Sequence, residues 1–254
     1  MPTDSARRLT KRERLADRRA AEAAARARAE RRRRTVVGAV GAGVAVLVAL
    51  VVVIVVQTHR TTTAADAAVP AHTVDGTVIA VGSASAPVTV DLYEDFQCPN
   101  CKAFEAQSGA TLARLVAAGT VQARYHGMAF LDTSANDHYS TRALNAAAVV
   151  LDTAGPDAFQ TFHDLLFAHQ PAEGGSGLTD DQLAEYAGQA GATGSTVVAD
   201  IKALTYADWV RSAEYQASKD GVTGTPTVFV NGKRLDAGQL TAAGITAAVT
   251  AAEQ

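Results

Sequence analysis

Apolar and polar positions fall into three regimes along the chain. From Leu9 to Arg34 the chain is rich in Ala, Arg and Glu, with no proline or glycine and almost no large apolar side chain. Helix propensity is high there, yet no face exists that would bury a core. From Thr35 to Val56 the chain is uncharged and almost wholly Val, Ala, Gly, Leu and Ile. From about Asp75 onward, short β-rich runs give way to helical periodicity and then return.

In that last regime Thr77–Val81 reads as a first strand and Val88–Glu94 as a second, joined by the turn-rich Gly82–Pro87. A helix follows to about Ala117, with Gly119 at its end. Val121–His126 reads as a third strand, parallel to the second through that helical crossover. Helices are then expected at Ser140–Asp152 and at Pro156–His169, the latter with Phe159, Phe162, Leu165 and Leu166 on one face. Thr179-Asp180-Asp181-Gln182 has the form of a capping box opening a helix to about Ala190. Two more helices are expected near Ser195–Leu204 and Tyr206–Lys219. Asn231-Gly232 between apolar runs marks a tight hairpin, and Ala237–Ala252 a closing helix.

Charge separates the regimes further. Residues 1–34 carry 13 Lys+Arg and 5 Asp+Glu, which leaves 10 and 21 of the chain's 23 and 26 for the rest. The 22 residues 35–56 suffice to span a bilayer as a helix at about 1.5 Å per residue. Arg31–Arg34 abuts this segment and only Arg60 follows closely, so the positive-inside rule puts residues 1–34 in the cytoplasm and the remainder outside. A cleaved signal peptide is the alternative, with Ala65-Asp66-Ala67 as a cleavage pattern, but the apolar run is long and the basic region large for one. Basic clusters alone carry little specificity, so nucleic-acid binding is not expected. Residues 57–75 read as a linker reaching at most about 60–70 Å, with His59 and His72 simply solvated. The expected organisation is a basic tail (1–34), a transmembrane helix (35–56), a linker (57–75) and one folded domain (76–254).

The chain's two cysteines stand as Cys98-Pro99-Asn100-Cys101, where the second strand hands over to a helix. Proline is tolerated in a first helical turn. The free N–H groups and positive end of that helix favour a thiolate at Cys98, so its pKa should fall. Cys98 is then the attacking sulfur, and Cys101, a turn further in, resolves the mixed disulfide. A zinc half-site lacks a second Cys pair or an H-x3-5-H partner, and so short a loop makes a poor structural staple. His126, His138, His163 and His169 fit no common metal pattern, so no metal and no cofactor are expected. The second informative stretch is Gly221-Val222-Thr223-Gly224-Thr225-Pro226-Thr227, leading into the hairpin. Pro226 opens a strand, where it spoils a ladder unless used deliberately, and a cis Thr225–Pro226 bond is expected.

Together the two stretches resemble the DsbA-like members of the thioredoxin superfamily, of the membrane-anchored bacterial kind. The resemblance covers roughly residues 75–254 and implies an α/β, thioredoxin-like fold with a helical insertion, here preceded by a single transmembrane helix. The 128 residues from Cys98 to Pro226 leave room for that insertion. The resemblance implies that Cys98 is the exposed nucleophile and Cys101 its buried partner. Pro226 is then the cis-proline opposite the disulfide, and Thr225 offers its backbone to an extended substrate. Pro99, Asn100 and Asp95 are candidate tuning residues. Strongly oxidising members carry His where this chain has Asn100, so the Cys98 pKa should be less depressed than theirs. An acidic residue often lies six positions before the first Cys; here that place holds Leu92, with Asp91, Glu94 and Asp95 nearby. The implied activity is a membrane-tethered dithiol oxidase acting on the thiols of exported proteins and reoxidised by a membrane redox partner. A reductase or isomerase using the same site is one alternative. A client-binding chaperone, with an apolar groove near Phe96 and Pro226, is the other.

Overall fold

A computed structural model describes residues 68–254. The basic tail, the transmembrane helix and most of the linker expected from the sequence lie outside the described residues. Among the described residues, no helix is long and apolar enough to cross a membrane.

The domain is built on a six-stranded mixed sheet. Its strands are β1 (Thr73–Val74), β2 (Val78–Val81), β3 (Val88–Asp95), β4 (Val121–Met128), β5 (Thr227–Val230) and β6 (Lys233–Arg234). Their spatial order is β1-β2-β4-β3-β5-β6. β3 is central. It pairs in parallel with β4, with Leu92 opposite Tyr125, and antiparallel with β5, with Leu92 opposite Val228. Alternation along β3 puts Val88, Val90 and Leu92 in the core; its last four residues are all buried. Helices cover both faces at that end, so the inside/outside rhythm of a half-buried strand stops there.

The crossover from β3 to β4 is α1 (Pro99–Phe104), a π-helical turn (Glu105–Gly109) and α2 (Ala110–Ala117). Sequence periodicity anticipates the helix but not the π turn within it. Gly119, with φ +75°, ends the crossover as expected. Between β4 and β5 the chain inserts α3 (Tyr139–Ala168), α4 (Asp180–Gln189), α5 (Val197–Ala203) and α6 (Ala207–Lys219). This is the α/β sheet with a helical insertion that the resemblance implies. α3 is two helices in one run: Gly155 adopts φ 81° and ψ −175°, and Pro156 restarts the helix. Its first half buries a run of small residues, Ala146 to Val150, so neighbouring helices approach closely. Thr179 and Gln182 form the expected capping box, with the Gln182 N–H donating to Thr179 Oγ1 at 3.2 Å. α7 (Ala242–Ala252) closes the domain after a short 3-10 turn at Ala237–Gln239. Asn231 and Gly232, with φ 44° and 77°, make the expected tight turn between β5 and β6.

The loop between α3 and α4 is held by Arg142. Its guanidinium donates to the carbonyls of Ser176 (2.6 Å) and Leu178 (2.8 Å) and pairs with Asp180 at 3.0 Å. Gly177 in this loop has φ +74°, and a Cβ there would collide with the ring of Tyr139, which is fully buried. Gly174 has a similar φ of +79° but open space around it. Gly174→Ala should therefore cost only left-handed strain, about 1–2 kcal/mol. Gly177→Ala should cost roughly 1–3 kcal/mol more through overpacking. Urea unfolding of the two variants checks this, and equal midpoints would refute it.

Candidate active site

Cys98 is the N-cap of α1, in an extended conformation, and Pro99 occupies the first helical turn. The Cys98 N–H donates to the Asp95 carbonyl at 2.9 Å, which fixes the turn between strand and helix. The Thr225–Pro226 peptide is cis, as expected, and the Thr225 carbonyl lies 3.5 Å from the Cys98 sulfur. Both cysteines are free thiols. Cys101 is wholly enclosed, and Cys98 is only 6% exposed. The expectation of an exposed nucleophile therefore needs correcting. The loop before β5 folds over Cys98, and only one side of the residue opens outward.

That side faces a groove of about 690 Å³ lined by Cys98, Pro99, Asn100, Phe130, Val222 and Thr225, among others. Phe130 is its exposed apolar member, at 41%. Phe96 does not line this groove. It is buried against Phe167 and His163, at ring-centroid distances of 5.4 and 5.7 Å. The groove expected near Phe96 is thus built from the β4–α3 connection and the Val222–Thr225 loop instead.

The two sulfurs sit in opposite electrostatic settings. The Cys98 pKa is lowered to about 6. The largest cause is the hydrogen bond from the Cys101 thiol; burial opposes it, and Thr225 and the backbone of Cys101 and Asn100 add to it. Asn100 thus contributes through its backbone. A value near 6 falls between about 7 for thioredoxin and about 3.5 for DsbA. The Cys101 pKa is pushed far up, first by burial, then by its bond to Cys98 and the charge of Glu94. One sulfur is a thiolate at neutral pH and the other a thiol.

Asp95 is fully buried. Its Oδ1 accepts from the Gln97 N–H (2.8 Å) and the Ser140 hydroxyl (2.6 Å), and its Oδ2 from the Leu131 N–H (3.1 Å). Desolvation raises its pKa while these bonds lower it. It clamps β3, the 131 loop and α3 together. Gln97 extends the clamp. Its amide donates to the Gly175 carbonyl at 2.8 Å, and its Oε1 accepts from Asn136 at 2.6 Å. Gln170 donates to the Cys98 carbonyl at 2.9 Å. Asp91 is committed elsewhere, to Arg124 (3.1 Å) and His126 (2.9 Å).

Glu94 is the acidic residue whose charge reaches Cys101. It is buried, and its Oε2 lies 3.1 Å from Nε2 of His163, itself only 2% exposed. Glu105, from the π turn, completes a cluster with them. Burial, and then the charge of Glu94, raises the Glu105 pKa to about 8. For His163, burial lowers the pKa, but the bonds to Asp164 and Glu94 outweigh it and raise the value to about 10. In the sequence His163 fits no common metal pattern, and Glu105 is not singled out. The signal was a carboxylate one helical turn past Cys101, on the face of the buried Cys101 and Phe104.

Iodoacetamide labelling of the reduced protein should place one label on Cys98, with a rate that rises through pH of about 6 and then levels off. Cys101 should stay unlabelled in the folded protein. An inflection near 9 would mean that the Cys98 environment does not favour the thiolate.

A thioredoxin family model matches residues 74–251 of the chain. The reduced form of the disulfide bond oxidoreductase DsbG from Mycobacterium tuberculosis superposes with a TM-score of 0.61 at 34% identity, covering 69% of this chain and 87% of that one. Oxidised DsbA from Mycobacterium tuberculosis gives a TM-score of 0.61 at 34% identity, over 69% of this chain and 92% of its own. The serine/threonine-protein kinase PknE of Mycobacterium tuberculosis is 32% identical over 157 residues, 59% of this chain, which spans only 28% of that protein's length. The residues that the family model matches hold the paired cysteines, the cis-proline loop and the inserted helices. The chain belongs to the thioredoxin family and, within it, is a DsbA-like thiol–disulfide oxidoreductase.

Proposed function

We propose that the protein is a membrane-tethered, extracytoplasmic dithiol oxidase that forms disulfides in exported proteins through Cys98 and Cys101. The observation that carries this reading is the contrast between the sulfurs: a Cys98 thiol lowered to about 6 beside an enclosed, protonated Cys101. A stabilised thiolate favours the reduced pair. That makes the Cys98–Cys101 disulfide a good oxidant, as in DsbA.

The exchange balances as follows. A client thiolate attacks Cys98 Sγ of the disulfide, and the Cys98–Cys101 bond breaks. Cys101 leaves as a thiolate and takes a proton, while the client is held in a mixed disulfide on Cys98. A second client thiolate attacks the client sulfur of that bond. A client disulfide forms, and Cys98 departs as the thiolate that its surroundings favour. Two electrons pass to the cysteine pair, and a membrane redox partner passes them on to quinone. A low leaving-group pKa speeds the second step.

The groove beside Cys98 supports the client's placement. A client in extended conformation pairs with the backbone of Thr225, a form of strand addition, while Pro226 holds the loop against the sulfurs. Phe130 offers an apolar contact and Asn100 a polar one at the groove's edge. The apolar segment 35–56 tethers the domain, and the basic tail stays in the cytoplasm.

Equilibration of the full-length protein against glutathione buffers tests the direction. The expected potential lies well above the thioredoxin value of about −270 mV and toward the DsbA value of about −120 mV. A value at the thioredoxin end would make the protein a reductase. Cys101→Ala should accumulate mixed disulfides between Cys98 and exported proteins, visible on non-reducing gels, and Cys98→Ala should accumulate none. Protease added outside intact cells should digest the 76–254 domain; protection would overturn the topology.

A further inference from the structure

Glu94, Glu105 and His163 converge from three elements beneath the active-site helix: the end of β3, the π turn and the second half of α3. One carboxylate oxygen from each glutamate and one imidazole nitrogen all lie within 4.8 Å of one another. His163 Nε2 and Glu94 Oε2 are 3.1 Å apart. The remaining oxygens, Glu94 Oε1 and Glu105 Oε1, are buried and meet no hydrogen-bond donor among the described residues. Glu94 is buried and Glu105 half-buried, and each carboxyl group keeps one enclosed oxygen without a partner. Among the described residues, His163 is the one cationic side chain that pairs with Glu94, and Glu105 makes no ion pair.

We propose that these three side chains bind a divalent transition-metal ion of the zinc type. One imidazole and two carboxylates are a zinc-type donor set; calcium requires six to eight oxygens. Ligands at about 2.0–2.2 Å from one ion stand roughly 3–3.5 Å apart. The His163–Glu94 separation already matches, and rotation of the glutamate side chains supplies the remaining contraction. With a neutral imidazole, two carboxylates balance the charge of the ion.

The surroundings fit as well. Nδ1 of His163 faces Asp164 Oδ1 at 3.3 Å. A ligating imidazole usually donates its other N–H to a carboxylate in this manner, which orients the ring. Phe96, Tyr125, Phe159 and Phe167 surround the His163 ring at centroid distances of 4.8–5.8 Å and hold its plane. A cavity of about 10 Å³, room for about one water, borders Glu94 and His163. An entry path exists on the other side. Glu105 and Asp164 line an open groove of about 370 Å³ between the crossover helix and α3. The π turn serves this arrangement: Glu105 folds back over Gly109, where a Cβ would collide with its carboxylate. π turns recur at functional sites.

The test uses the full-length protein, metal-stripped and oxidised, so that both sulfurs are tied up in the disulfide and bind no metal. Titration with Zn2+ against a competing chelator dye should show one equivalent bound. Co2+ substitution should give visible d–d absorption without sulfur charge-transfer bands. Glu105→Gln, isosteric and partly solvent-facing, should weaken Zn2+ binding at least 10-fold with an unchanged circular dichroism spectrum. Asp164→Asn should weaken it about 10-fold, as loss of a second-sphere partner does. His138→Gln, at the surface, should leave it unchanged. Absence of stoichiometric binding would overturn the proposal, as would binding that survives Glu105→Gln or falls with His138→Gln.

Discussion

The handover from β3 to α1 rests on one buried carboxylate. Asp95 accepts three hydrogen bonds from three parts of the chain, and its own carbonyl receives the Cys98 N–H. A charge in that position is costly unless each lone pair is answered, and here donors on β4's continuation, on α3 and within the loop answer it. The geometry of the thiol pair follows. Cys98 is an N-cap because the chain turns at Asp95. Cys101 is enclosed because the helix, so started, carries it down onto the sheet. Gln97 and Gln170 bind the inserted helices to the same turn, so the insertion is part of the scaffold of the site as well as a cover over it.

That geometry creates the difference between the sulfurs. They are three residues apart and identical in chemistry, yet burial and hydrogen bonding move their pKa values in opposite directions. The helix-end contribution reaches Cys98 through the N–H groups of Asn100 and Cys101. The Cys101 thiol donates to the Cys98 thiolate and is itself held protonated by the same bond. Each sulfur therefore stabilises the other's protonation state, and a change at one moves both.

Much of the framework was legible in the sequence, for local physical reasons. The strand before Cys98 alternates, the helix after it opens with proline, Thr179 and Gln182 stand at capping-box spacing, and Asn231-Gly232 permits the left-handed turn its hairpin needs. Each signal lies within a few neighbouring residues. The misreadings concern contacts distant in sequence. Asp95 reads as a candidate tuning residue beside the thiols, and its structural part shows only when Leu131 and Ser140 are brought to it. Phe96 reads as a groove residue until α3 covers it. Cys98 reads as exposed until the Thr225 loop, 127 residues on, closes over it. Glu105 looks like one more polar residue on an amphipathic helix. Its spacing from Cys101 puts it on the buried face, but the groups it meets there, Glu94 and His163, come from other elements.

The acidic group whose charge reaches Cys101 stands two residues further along β3 than Leu92. Leu92 stands where a carboxylate is frequent in the superfamily, and it packs into the core opposite Tyr125 and Val228. Glu94, two residues on, lies on the same face of the strand, since side chains alternate with a period of two. It is therefore nearer the strand's end and the helix that carries Cys101. An ionised group there needs a counter-charge, and α3 brings His163 to it at 3.1 Å.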